Sequence, residues 1–229
     1  MSIADSRGDE YQPVRSGPAA ASCLLAPQET ALALIDHQGL MLMGAGSHDR
    51  QRLVNNVTGL AKSAKAFGVP VVLTTNTART FSGPMLPEIR AVFPDHEVID
   101  RTAINAWEDE AFVRAIEATG RRKLMIAGLW TEVCVAYPAL SALEAGYQVY
   151  VVADACAGVD TQAHDTAIQR VVQRGAIPVT WLDVLFELQR DWSRQEAYND
   201  VVQIILQHTG GLGEGINFLF GMTSPAPTA

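Results

Sequence analysis

The chain has 229 residues and a formal net charge of -8, from 25 acidic and 17 basic side chains. Hydrophobic residues make up 48% and charged residues 18%, which is the balance of a globular protein with one sizeable core and not of a disordered chain. No run of Lys or Arg offers the concentrated basic surface that a nucleic-acid partner needs, and no apolar run is long enough to span a bilayer.

Residues 1–28 are polar and small, with Pro13, Gly17 and Pro18, and read as an extended arm. Their opening, MSIADSRGDEYQ, lacks a charged-then-apolar signal pattern, so secretion is not expected. Residues 31–35 form a continuous apolar strand, with Asp36-His37-Gln38-Gly39 as a loop at its carboxyl end. Residues 50–67 carry an apolar stripe of Leu53, Val57, Leu60, Ala61 and Ala64, which predicts a helix ended by Gly68. A second strand is expected over 70–74 and a long polar loop over 75–87. A helical turn follows over 87–93, then a short strand at 98–99 and a loop over 100–106. Residues 107–119 read as a helix stopped by Gly120. The segments 148–152 and 176–179 read as strands, and 162–174, 181–190 and 194–208 as helices. The last residues, 209–229, are rich in Gly and Pro and read as a tail, leaving 29–208 as the folded domain. Strands alternating with helices imply an open, mostly parallel sheet of about six strands covered on both faces, a three-layer α/β architecture.

The most informative stretch is 123–146, KLMIAGLWTEVCVAYPALSALEAG. It reads as a buried strand, a tight turn and a helix closed by Gly146. Thr131 is placed as a helix N-cap, which puts Cys134 in the first helical turn, where peptide dipoles favour a thiolate. The competing reading is a cysteine that simply fills core space. Asp36 and Arg101 also follow strands, so all three can converge at one rim of the sheet. There Asp36 can serve as the base and Arg101, a permanent forked cation, can offset its charge. Taken singly, the aspartate also fits a turn former and the arginine a solvated loop residue. Cys156 follows the 148–152 strand without a matching base, Cys23 sits in the arm as an ordinary thiol, and an odd number at irregular spacing suits free thiols in a reducing cytoplasm.

The motifs ALALIDHQ around Asp36, INAW at 104–107 and AGLWTEVCVAYPALSALEAGYQVYVVADA at 127–155 resemble the isochorismatase-like cysteine hydrolase superfamily, in its YcaC-type branch. The segment with Trp181, Glu187, Leu188, Asp191 and Trp192 fits the same branch, and the resemblance covers about residues 31–194. It implies an Asp–Lys–Cys triad that hydrolyses an amide-type C–N bond through a thioester. Asp36 and Cys134 match that triad, while Arg101 stands at the lysine position and keeps the charge without being able to give up a proton. The resemblance also implies a cis peptide at Leu129–Trp130 and an oxyanion hole from the backbone N–H groups of Trp130 and Cys134. It further implies a ring-like homo-oligomer, with an octamer as a candidate size. True isochorismatases carry glycine in place of the cysteine, so Cys134 argues for nucleophilic hydrolysis.

The reaction expected is hydrolysis of a small neutral or aromatic amide, nitrile-derived or carbamoyl compound, with no cofactor. Phe81, Trp107 and Trp130 are candidate pocket walls, with ordinary core packing as the other reading. No metal site is expected, because the loop after the second strand has no histidine, and His37, His48, His96 and His164 read as loop or helix-face residues. Two other functions compete. One is a non-catalytic oligomeric scaffold, which has no need of an ionised thiol. The other is flavodoxin-like cofactor binding, which lacks a phosphate loop.

Overall fold

The structure, a computed structural model, describes residues 23–223. Its centre is a six-stranded parallel sheet in the order β3-β2-β1-β4-β5-β6. The strands are β1 (Thr30–Ile35), β2 (Val71–Asn76), β3 (Val98–Arg101), β4 (Lys123–Gly128), β5 (Gln148–Val152) and β6 (Ile177–Val179). β1 and β4 are buried along their whole length, as their unbroken apolar runs require of strands covered on both faces.

The helices are α1 (Gly39–Met43), α2 (Arg50–Ala66), α3 (Pro87–Val92), α4 (Glu110–Ala118), α5 (Ala136–Glu144), α6 (Thr161–Gln173), α7 (Trp181–Gln189), α8 (Tyr198–His208) and α9 (Gly211–Thr223). From β1 the chain steps outward through β2 to β3, then returns to β4 on the other side of β1 and steps outward again. Right-handed crossovers therefore place α2 and α3 on one face and α4, α5 and α6 on the other. α7 and α8 come back to pack on α2. The reversal between β1 and β4 leaves a crevice at their carboxyl ends.

Local chemistry sets the boundaries. Asp49 caps α2 by accepting the Arg52 N–H at 2.8 Å, and Gly68, with φ 62°, turns the chain away after it. Thr180 and Asp183 form a reciprocal capping box that starts α7. Gly128 ends β4 where a Cβ would stand 2.6 Å from the Ile35 carbonyl oxygen, so its smallness permits β1 and β4 to meet at the crevice.

Several boundaries differ from the sequence reading. Residues 39–43, of which only Gly39 was expected in a loop, coil into α1. β3 runs two residues further than expected, so Arg101 ends a strand and does not sit in the following loop. Residues 1–22 of the expected arm lie outside the described residues, but its last part packs on the domain. Leu25 is fully buried, its N–H bonds Glu187 at 2.6 Å, and Arg190 reaches its carbonyl at 2.7 Å. The expected tail is helical as far as Thr223. α9 packs closely on α8, because Gly213 is small enough to bring its backbone against the Leu206 carbonyl, and Ile216 lies against the core.

Candidate active site

Asp36, Arg101 and Cys134 do converge, at the carboxyl ends of β1, β3 and the turn after β4. Asp36 follows β1 with φ 55°, a left-handed conformation that Asp tolerates better than most residues, and its N–H bonds the Thr74 carbonyl at 3.0 Å. Its carboxylate is fully buried and meets Arg101 Nη2 through Oδ2 at 2.7 Å. The guanidinium is itself held from behind. Nη1 donates to the carbonyls of Ala103 and, at 3.2 Å, Ile104. Arg101 therefore cannot swing out to solvent while the loop after β3 keeps its path.

Cys134 faces Asp36: the carboxylate's charge and side chain raise the thiol, and the thiol in turn lowers Asp36. Asp36 Oδ1 has no well-formed hydrogen bond of its own. Burial raises Asp36 above its usual 3.8, with Arg101 pulling the other way. The features of the turn that favour a thiolate are opposed by burial and by Asp36. Burial first, and then the Asp36 charge, push the Cys134 thiol up to about 12, outweighing Arg101. Cys156 is likewise buried and pushed up to about 12, while Cys23 is exposed.

The turn carrying Cys134 is wider than an α-helical start. Residues Thr131–Val135 form a π-type turn that runs directly into α5. The N–H groups of Val133, Cys134 and Val135 all close on the Trp130 carbonyl, at 3.1, 2.8 and 3.3 Å. Thr131 is not the N-cap expected from its hydroxyl, which instead lies 2.8 Å from His164 Nδ1. The Leu129–Trp130 peptide is cis. The Cys134 N–H, expected in an oxyanion hole, is engaged within the turn. The Trp130 N–H bears on the Cys134 sulfur, where its hydrogen bond favours the thiolate.

The three aromatic candidates separate. Trp130 is beside the site, with its indole N–H on the Met41 carbonyl at 2.8 Å and its ring filling the space that a Cβ at Gly44 would need. Phe81 is 72% exposed and covers nothing in the isolated chain. Trp107 is not a wall of this site. It packs edge-on against Tyr147 and Phe112 and lines a separate cavity with Gly120, Arg121 and Arg122, at the amino end of β4.

Sequence reasoning also missed Gln38. Its buried side chain accepts the Asn76 N–H at 2.9 Å and donates to the Gly83 carbonyl at 2.5 Å, tying the ends of β1 and β2 to the loop before α3. An uncharged side chain two residues after Asp36 gives no local signal of this role. His37 lies in the loop after β1 and His164 on α6, as the loop or helix-face reading has it, but both are buried, and burial lowers each to about 4. Among the described residues no group of three or more His, Cys, Asp or Glu is placed to hold a metal, and no helix is long and apolar enough to cross a membrane.

The family described as Isochorismatase domain matches residues 30–183, which span the sheet and all three members of the buried Cys–Asp–Arg cluster. The chain belongs to that family. Within it the similarity is to YcaC. The "probable hydrolase YcaC" of Escherichia coli is 44% identical over 165 residues, 72% of this chain and 79% of that protein. The solved structure of E. coli YcaC, described as an octameric hydrolase of unknown specificity, matches with a TM-score of 0.84 and 37% identity. It covers 91% of this chain and 100% of the other. YcaC from Pseudomonas aeruginosa, with hexane-2,5-diol and covalent acrylamide, matches with a TM-score of 0.84 and 35% identity, over 88% of this chain and 100% of that one.

Proposed function

We propose that the protein hydrolyses the C–N bond of a small amide-type substrate through a thioester on Cys134. The observation that carries this reading is the buried Asp36–Arg101 ion pair set against the Cys134 thiol in the switch-point crevice. With the thiol neutral at rest, ionisation belongs to the reaction. Asp36 takes the thiol proton as Sγ bonds to the substrate carbonyl carbon, and the carbonyl oxygen gains negative charge. The Trp130 N–H, which already bears on the Cys134 sulfur, is the donor offered to that oxygen. The C–N bond then breaks, and Asp36 returns the proton to the leaving nitrogen. Water attacks the thioester while Asp36 accepts its proton. The carboxylic acid departs, and the proton restores the thiol. Arg101 holds Asp36 in place and offsets its charge, a task that needs no proton transfer from the guanidinium.

Covalent acrylamide in the P. aeruginosa relative supports this reading, since acrylamide is both a small amide and an electrophile for thiols. We also infer a ring-like homo-oligomer in the cytoplasm, an octamer as described for E. coli YcaC. Exposed apolar side chains such as Met43, Phe81 and Phe218 provide surface for such contacts.

The test is turnover of a panel of small amides by the purified protein, with Cys134→Ala as the blank. The wild type should hydrolyse at least one member, and the variant should lose roughly 10³-fold or more. A variant that keeps turnover of a substrate cleaved by the wild type excludes the thioester route.

A further inference from the structure

A hydrogen-bonded strut reaches the nucleophile turn from behind and takes no part in the chemistry above. Its members are Ser47 and His48 on the loop between α1 and α2, Thr131 at the head of the turn, and His164 in the first turn of α6. His164 is 6% exposed, and its Nδ1 lies 2.8 Å from the Thr131 hydroxyl. The His48 ring meets it edge-on with centroids 4.6 Å apart, and Ser47 Oγ holds His48 Nδ1 at 2.7 Å. The same Oγ accepts the Gly158 N–H at 2.9 Å, while the Gly158 carbonyl accepts the N–H groups of Gly46 and Ser47 at 3.1 and 3.3 Å. At Gly46 a Cβ would stand 2.3 Å from the Val159 carbonyl oxygen, so the two loops touch backbone to backbone.

This strut settles what Thr131 does. A threonine at the head of a helical turn ordinarily turns its hydroxyl back to accept an N–H of that turn. Here the hydroxyl is taken by His164, and the Thr131 N–H is taken by the Ala157 carbonyl at 3.0 Å. With its side chain turned to His164, Thr131 does not cap the turn, and the N–H groups of Val133, Cys134 and Val135 close on the Trp130 carbonyl. The result is the wide turn that sets Cys134 against Asp36. Burial, and then the neighbouring His48, hold His164 down to about 4, so the ring is neutral near neutral pH and adds no charge beside the thiol.

We propose that His164 is a positioning residue for Cys134, keeping the nucleophile turn in its wide form by holding the Thr131 hydroxyl. The proposal rests on the reading of Cys134 as the nucleophile and Asp36 as its base, and the test separates the two.

The probe is acrylamide. In the addition, Cys134 Sγ bonds to the terminal alkene carbon, and the thiol proton passes through Asp36 to the carbon beside the carbonyl. Peptide mass spectrometry gives the rate at Cys134, with the exposed Cys23 of the same molecule as internal reference. His164→Leu keeps volume without the bond, and Thr131→Val removes the hydroxyl from the other side. Each should slow Cys134 roughly 10- to 100-fold relative to Cys23, the scale of an ångström's misplacement of a reacting group. His164→Asn, which keeps a polar atom near the Nδ1 position, and Thr131→Ser should restore most of the rate. The double variant His164→Leu/Thr131→Val should be no slower than either single one. Thermal melts establish that each variant is folded, and Thr131→Val carries the test if His164→Leu is not. Unchanged or faster labelling of Cys134 in the folded variants overturns the positioning role, provided Asp36→Asn still slows it. If Asp36→Asn also labels like wild type, the base assignment itself is wrong.

Discussion

Replacing Arg101 with Met probes the ion pair on which the site depends. The side chains of Arg101 and Asp36 are both 0% exposed, with 2.7 Å between Nη2 and Oδ2. Two unit charges about 4 Å apart attract by about 4 kcal/mol at an effective dielectric near 20. That agrees with the roughly 3–5 kcal/mol by which removing one partner destabilises a buried pair. Methionine fills much of the arginine stem, so the loss is chiefly electrostatic. For a chain of this size each kcal/mol lowers Tm by about 2–4 °C, so a drop of roughly 6–20 °C is expected at neutral pH. The pH dependence has a definite sign. Burial already raises Asp36 above its usual 3.8, and removing Arg101 raises it further. Between the unfolded and folded pKa values the native state keeps a proton that the unfolded chain releases, so stability falls as pH rises through that window. The deficit of Arg101→Met should therefore be smallest in acid and grow toward neutrality, as read from guanidinium unfolding at about pH 4.5 and about pH 7.5. Adding Asp36→Asn should recover most of the loss, because the uncompensated charge is then gone. Wild-type stability of Arg101→Met at neutral pH, or a deficit that does not vary with pH, would refute the argument.

Two further outcomes are expected. If Asp36 is the base it must be ionised, so kcat/KM on the substrate found by the amide panel should fall as pH drops through its raised pKa. The acid limb should lie above the usual 3.8, and one at or below that value would remove Asp36 as the base. Sedimentation at micromolar concentration should show a single large assembly of about eight chains, and a stable monomer would contradict the octamer.

The strand-and-helix alternation was legible because each piece has a local signature. The apolar run 31–35, the stripe Leu53–Val57–Leu60 and the stop at Gly146 depend on neighbours only a few residues away. Asp36, Arg101 and Cys134 could be named together because in a parallel sheet every strand's carboxyl end faces one rim. Other features were not legible. Thr131 has the composition of an N-cap, yet His164, 33 residues on, takes its hydroxyl. Trp107 sits in the INAW motif, where a pocket wall and ordinary core were both open readings, and its ring packs toward the amino end of β4 with Tyr147. The segment from 211 carries four glycines, which are poor helix formers, yet it is helical where Gly213 lets it lie close on α8. The charge state of Cys134 is the clearest case. A turn at the head of a helix and a nearby arginine favour a thiolate, while burial and the Asp36 carboxylate oppose it and prevail. Which residues border the strands follows from patterns a few positions long. Which groups lose their water, and which charge stands beside them, is set by contacts between distant segments that exist only once the sheet and both helical layers have closed.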